Sequence, residues 1–310
     1  MPGRDRVIQR ALSSFLVHFW QSWLPTSSRH STYIIRNPSS DSPLHQLLIN
    51  DTNRLPIALV ASHRLMLATP TITIPTTAFY DAWAATYDTD GNVLQRLDSA
   101  AFEDITPLLF SVLQKPIRLL DLGCGTGRNT SKLRGMLPPG STLYAVDGSE
   151  GMLAQARAGM PAEPSQVEVK WCSLDFTRQQ ADLDAFIGSA PVDAVISTLV
   201  LEHVMLDQFF AVIAKALKVG GRAWVTGMHP DMGQSRAGFR RDDGVKVHGI
   251  SYIHGLEETV VAAKNAGLKL VGNVEERGVD DEFAVEELGE RAKKWVGKRL
   301  HVGMLFERVL

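Results

Sequence analysis

The stretch Asp121-Leu-Gly-Cys-Gly-Thr-Gly-Arg-Asn-Thr130 decides how the rest of this 310-residue chain is read. An apolar run, Ile117 to Leu122, precedes it and reads as a buried strand, and a helical pattern from Asn129 to Leu137 follows. Three alternate glycines between a strand and a helix let backbone N–H groups approach a ligand with no side chain in the way. Nucleotide-like ligands sit at such turns.

The spacing narrows the ligand. The dinucleotide fingerprint runs G-x-G-x-x-G around a pyrophosphate, whereas Gly123, Gly125 and Gly127 run G-x-G-x-G with Asp121 two residues ahead. A carboxylate there repels a pyrophosphate and suits a cationic ligand in a partly buried cleft. S-Adenosylmethionine, with its ammonium and sulfonium, is such a ligand, and a nicotinamide-dependent oxidoreductase is disfavoured. Taken alone, a glycine triplet can also be nothing more than a tight turn.

Three downstream features strengthen the reading. Ser141 to Val146 is a second apolar strand ending in Asp147, about 20 residues beyond the glycines, where an acid can accept both ribose hydroxyls. An alternating strand from Gln166 to Trp171 leads through Leu174 to Asp175, whose carboxylate can accept from an adenine amino group. Val192 to Ser197 is a fourth strand, followed by Thr198-Leu-Val-Leu-Glu-His203 and a helix to Leu217; Gly220-Gly221 then leads into a fifth, Arg222 to Thr226.

With these motifs in order, LLDLGCGTGRNT, YAVDGSEGMLAQAR, the Asp175 turn, VDAVISTLVLEHV and LKVGGRAWVTGMHP, the chain resembles the class I S-adenosylmethionine-dependent methyltransferases from roughly Thr77 to its end. The resemblance implies S-adenosyl-L-methionine as cofactor and a Rossmann-like, seven-stranded, mainly parallel sheet with helices on both faces and strand order 3-2-1-4-5-7-6. It also implies that Asp121 with Gly123, Cys124, Gly125 and Gly127 holds the methionine part, Asp147 with Gly148 the ribose, and Asp175 with Met152 and Leu174 the adenine, with Thr198 lining the site. Phe79-Tyr-Asp-Ala-Trp-Ala-Ala-Thr-Tyr-Asp88 and the turn at Met228-His-Pro230 are similar to those of small-molecule methyltransferases of fungal secondary metabolism. In that likeness Tyr80 and Tyr87 belong to a lid over the cofactor; an aromatic stripe packed in a core is the plain alternative.

Composition sets the limits. A net charge of -2 argues against a protein built to grip nucleic acid, and a small-molecule partner is favoured. Two cysteines, Cys124 and Cys172, point to a reducing compartment, so the cytoplasm is the default, and neither has metal-ligand spacing. No apolar run reaches the roughly 18 residues of a membrane span. The oligomeric state is left open.

The first 75 residues differ from the rest. They hold seven arginines and three aspartates with neither lysine nor glutamate, and the stretch from Pro25 to Pro75 is irregular and rich in Ser, Thr and Pro. Val7 to Leu24 sets Ile8, Leu12, Phe15, Leu16 and Phe19 on one helical face behind Arg4 and Arg6. Such a start is similar to a mitochondrial presequence, or it is an upstream extension with no part in the fold. The expected division is an N-terminal extension, 1–75, and a catalytic domain, 76–310.

Beyond the fifth strand, Gly255 to Ala266 reads as a helix, Leu268 to Val274 as a strand, Asp281 to Val296 as a helix and His301 to Phe306 as a last strand. Residues 231–249 read as a long loop, a candidate substrate lid.

Methyl transfer from a sulfonium needs a general base only if the acceptor arrives protonated. Candidates are His229, ranked first because the turn after the fifth strand should face the transferred methyl, then His203, with Tyr252 and His254 behind. A packing role is as consistent with each. The expected function is methyl transfer to oxygen, nitrogen or sulfur of a small organic metabolite; the alternative is a protein of the same fold that binds the cofactor without transferring its methyl group.

Overall fold

The computed structural model describes residues 30–32, 48–50 and 70–309, apart from 234 and 236. It divides into two units, Met1–Ala68 and Thr69–Leu310. In the first, β1 (His30–Thr32) and β2 (Leu48–Asn50) form an antiparallel ladder with His30 opposite Asn50. The amphipathic stretch Val7 to Leu24, with its presequence reading, lies outside the described residues. The boundary falls at Ala68/Thr69, ahead of the expected 75/76, because β3 (Thr71–Thr73) pairs in parallel with β10 (Lys246–His248) of the larger unit.

The larger unit is an α/β fold around one sheet. Its parallel strands are β4 (Arg118–Leu122), β5 (Thr142–Asp147), β6 (Glu168–Ser173), β7 (Val192–Ser197) and β8 (Leu217–Met228), and β13 (Lys298–Arg308) runs antiparallel beside β8. From β6 inward the order is β6-β5-β4-β7-β8-β13 and then β11 (Leu268–Leu270), as the resemblance implied. One expectation needs correcting. The strand expected over Leu268 to Val274 ends at Leu270 as β11, and an unforeseen strand, β12 (Glu275–Val279), follows it; the two pair with successive stretches of β13. Gly272, at φ 76°, interrupts the edge between them, so the sheet has eight strands.

Side-chain alternation divides the core. Leu119, Ile196, Trp224 and Leu305 point to one face, where Phe102 and Leu109 of α2 (Val93–Phe110) and Leu133 of α3 (Arg128–Met136) cover them. Their neighbours Leu120, Val195, Val225 and Phe306 point to the other, against Phe209, Phe210 and Ile213 of α6 (Leu206–Ala216) and Ala263 of α7 (Leu256–Asn265). Each such side chain contributes roughly 1.5–3 kcal/mol on burial. Every residue of β7 is buried, as a central parallel strand covered on both faces requires.

Two further differences bear on the site. The segment 231–249 carries β9 (Gly238–Arg240), which forms a hairpin with β10 across a turn closed by Arg241 and Val245, with Gly244 at φ 85°. With β3 it makes a three-stranded sheet against α1 (Thr76–Trp83), where Val247 and Phe239 meet Phe79 and Trp83. The helix expected over Asp281 to Val296 ends early: α8 (Glu282–Leu288) stops at Gly289, and a 3-10 turn over Glu290–Trp295 follows. The remaining helices, α4 (Glu150–Gly159) and α5 (Gln180–Ile187), follow β5 and β6. Among the described residues no helix is long and apolar enough to cross a membrane.

Candidate active site

A cavity of about 540 Å³ opens at the carboxyl ends of β4, β5, β6 and β7. Its floor is the glycine turn. A Cβ on Gly123 would collide with Val200, and one on Gly127 would stand 2.9 Å from Cβ of Ala156, so both glycines let neighbouring chain pack close. A Cβ on Gly125 would meet nothing within 4 Å and would project into open space. Gly125 also takes φ 56°, a conformation that favours glycine.

Asp147, at the end of β5, holds this turn. Its carboxylate accepts from the Gly125 N–H and from the Ser149 N–H, both at 2.8 Å, and burial raises its pKa against those bonds. Ser149 caps α4 by accepting from Met152 N–H at 3.1 Å, and its hydroxyl donates to Asp81 of α1 at 2.6 Å. Gly148 and Met152 line the cavity beside Asp147. Leu174 and Asp175 form the next wall, where Asp175 accepts from the Thr177 hydroxyl at 2.6 Å and its N–H at 3.1 Å. Thr198 lies across the cavity, held by Asn129 Nδ2 at 3.0 Å.

The aromatic stripe roofs the cavity. Tyr80 and Tyr87 line it, in edge-to-face contact with ring centroids 5.9 Å apart, while Phe79 and Trp83 pack under the small sheet. The stripe is therefore both cavity wall and core. Burial pushes the Tyr87 phenol up to about 12 and Tyr80 well above its usual range, so both stay neutral donors.

His203 ends the 3-10 turn Leu201–His203 and lines the cavity. Its Nδ1 lies 2.8 Å from the Ile250 carbonyl, which can only accept, so Nδ1 carries a proton. In the neutral ring Nε2 is then a lone pair, and it faces the Tyr80 hydroxyl at 2.7 Å. Tyr80 donates to it.

Three expected site residues stand elsewhere. His229 is buried away from the cavity: Nδ1 accepts from Asp231 N–H at 3.1 Å, and Nε2 meets Glu276 of β12 at 2.7 Å. The strand-five turn is thus drawn toward the β12 edge rather than over the glycine turn. Asp121 sits behind the floor, where Thr130 donates to it at 2.6 Å. Burial lifts its pKa to about 7, against the Thr130 bond and Arg128, and the charges of Asp147 and Asp98 lift it further. Gly127 is the left-handed N-cap of α3 and packs on Ala156 instead of lining the cavity.

Sequence reasoning passed over Arg128, Ser149 and Leu199. Arg128 lines the cavity and is fixed by the buried Asp98 at 2.5 Å and Ser99 at 2.7 Å. Leu199 takes φ 57°, rare for a leucine, at the point where the chain leaves β7. Its N–H donates to the Thr226 hydroxyl at 3.0 Å, which holds the strained turn against the cavity. No residue type at that position announces the turn. Tyr252, a lesser candidate, lines the mouth, whereas His254 binds the Val204 carbonyl at 3.0 Å beside it.

Residues 120–225 match the family described as methyltransferase domain. A methyltransferase of Emericella nidulans, itself named as uncharacterized, is 35% identical over 258 residues, 74% of this chain and 90% of that protein. The chain belongs to the class I S-adenosylmethionine-dependent methyltransferases. This methyltransferase is also similar to the biotin biosynthesis bifunctional protein BioHC of Cellvibrio japonicus, 31% identical over 195 residues, 62% of this chain but 34% of that one. The solved CcbJ methyltransferase from Streptomyces caelestis shares its fold, with TM-score 0.51 and 17% identity over 76% of this chain and all (100%) of that one. The open space beside Gly125, flanked by the Asp147 carboxylate, fits the family's cofactor, S-adenosyl-L-methionine: a cradle without a side chain, next to an acceptor for hydroxyl groups.

Proposed function

We propose that this methyltransferase acts on an oxygen, nitrogen or sulfur atom of a small organic metabolite, such as those of secondary metabolism, and does so in the reducing environment of the cytoplasm. In this reading the Gly123 to Gly127 turn and Arg128 receive the methionine end, Asp147 accepts from the ribose hydroxyls, and Asp175 with Met152 and Leu174 borders the adenine. Bound there, S-adenosylmethionine supplies an electrophilic methyl group on sulfur. The protein supplies position and exclusion of water, through Tyr80 and Tyr87 above and the glycine turn below.

The observation that carries the mechanism is the Tyr80–His203 pair. With Nδ1–H committed to the Ile250 carbonyl, His203 presents a basic Nε2 toward the cavity, and Tyr80 is the group through which a proton reaches it. His203 is therefore the proton acceptor we assign, replacing His229. Methyl-labelled S-adenosylmethionine incubated with the protein and a panel of small alcohols, amines and thiols tests the assignment. Label in an acceptor, strongly reduced in His203→Ala, is expected; label transfer unaffected by that change would remove His203 from the mechanism.

A further inference from the structure

The wall around His203 has a composition that bears on which acceptor it receives. Four charged side chains line the described part of the cavity. Arg128 is paired with Asp98 at 2.5 Å, Arg178 with Asp175 at 3.5 Å, and Asp147 holds the glycine turn. All four stand on the cofactor's side. Around His203 the described lining is instead Val204, Met205, Ile250 and Tyr252, with Gln208 and Tyr80 as its polar members.

That wall is also open to solvent. Met205 is 54% exposed, Ile250 44% and Tyr252 40%, an apolar rim at the cavity mouth. Large side chains gathered at a rim commonly mark a surface that a ligand covers. Ile250 and Tyr252 are fixed there by the turn they serve: the Ile250 carbonyl binds His203, and Tyr252 N–H donates to the Glu202 carbonyl at 2.7 Å. Behind them the Glu202 carboxylate is buried, and its charge, like that of Asp147, acts on Tyr80 to disfavour a second negative group nearby.

An acceptor that is already an anion needs no base but needs a cation to draw it in, whereas a neutral hydroxyl needs the reverse. The wall holds a base and, among the described residues, no cation. We infer that the acceptor is uncharged: a hydroxyl group, alcoholic, phenolic or enolic, on an apolar body that lies against Met205, Ile250 and Tyr252. The inference rests on the methyl-transfer reading above and names its substrate class. In the transfer, the acceptor oxygen forms its bond to the methyl carbon as the carbon–sulfur bond breaks. The hydroxyl proton passes to the Tyr80 oxygen while Tyr80 passes its own to His203 Nε2. The positive charge lost from sulfur reappears on the imidazole.

Calorimetric titration of full-length protein, first with S-adenosylhomocysteine and then with 2-naphthol or 2-naphthoate at neutral pH, tests this without depending on turnover. We expect naphthol to bind at least about tenfold more tightly than naphthoate, since the wall offers the carboxylate no partner. Ile250→Lys should narrow or reverse that ratio. Equal binding of the two probes, tighter binding of naphthoate, or no binding of naphthol beside bound S-adenosylhomocysteine would overturn the acceptor class alone. Failure to bind S-adenosylhomocysteine would overturn the cofactor site along with it.

Discussion

Asp81 and Ser149 join the roof of the cavity to its floor: the Ser149 hydroxyl donates to Asp81 Oδ1 at 2.6 Å, and the same oxygen accepts from Gly151 N–H at 3.0 Å. Ser149 follows Asp147 by two residues, so α1 is fastened beside the carboxylate assigned to the ribose. Asp81→Ala removes the fastening without touching the cavity lining. The Ser149 bond is part-buried and the Gly151 bond exposed, and together they stabilise by about 1 kcal/mol, so cofactor affinity should fall about fivefold. Stopped-flow measurement should place the change in the dissociation rate; an unchanged rate would mean that the fastening does not govern release.

Asp147→Ala should weaken S-adenosylmethionine binding roughly ten- to a hundredfold, because it removes the charge-assisted acceptor we assign to the ribose and frees the Gly125 N–H from its place. Titration calorimetry reads this directly. Unchanged affinity would put the ribose elsewhere.

His203→Ala and His229→Ala should separate cleanly. The first should lower kcat by about a hundred- to ten-thousandfold with cofactor affinity nearly unchanged. The second should spare kcat and lower the melting temperature, because it leaves the Asp231 N–H and Glu276 without their shared partner. Kinetics and thermal melts of the two variants side by side decide between them.

Acid stability should depend on Asp98. Burial would raise its pKa, but the hydrogen bond from His301, the Arg128 charge and the Thr226 hydroxyl together bring it down to about 2 from 3.8. A depressed carboxylate pKa stabilises the fold above the unfolded value and loses that contribution as pH falls from about 4 through about 2. The amount is on the order of 2 kcal/mol. Denaturant titrations of wild type and Asp98→Asn should therefore differ near neutrality and converge toward pH 2; a constant difference across that window would contradict the assignment.

Removal of residues 1–68 should leave a cooperatively folding, cofactor-binding domain, whereas removal of 1–75 takes away β3 and its pairing with β10. The longer deletion should melt lower by about 2–4 °C for each kcal/mol lost. Equal melting temperatures would show that β3 contributes nothing measurable.

How far the sequence was legible follows from where each signal lives. Val192 to Ser197 reads directly as β7 because a strand buried on both faces is a plain apolar run between turns. Gly125 and Asp147 are legible because a bare turn and an acid some 20 residues later are demanded by local geometry and charge. The β9–β10 hairpin carried its own signal, the Asp243-Gly244 pair, but a short mixed-charge strand on either side conceals it. For His229 the sequence shows which residue ends a strand but not the direction its turn takes; Glu276, from the distant β12, sets that direction. Leu199 had no signal at all, since its strain is imposed by Thr226 on the next strand.

The small sheet gives the roof a mechanical character. Residues from Pro70 onward enter it as β3 and continue directly into α1, while β9 and β10 come from beyond β8, and Phe79 and Trp83 cement the two against Phe239 and Val247. The roof is thus a panel with its own stiffening rib and not a loop that curls aside. Its latches are Asp81 on Ser149, Asp88 on Thr126 and Tyr80 on His203. Because the third latch is also the proton path we propose, a panel lifted to exchange cofactor is one in which that path would be cut.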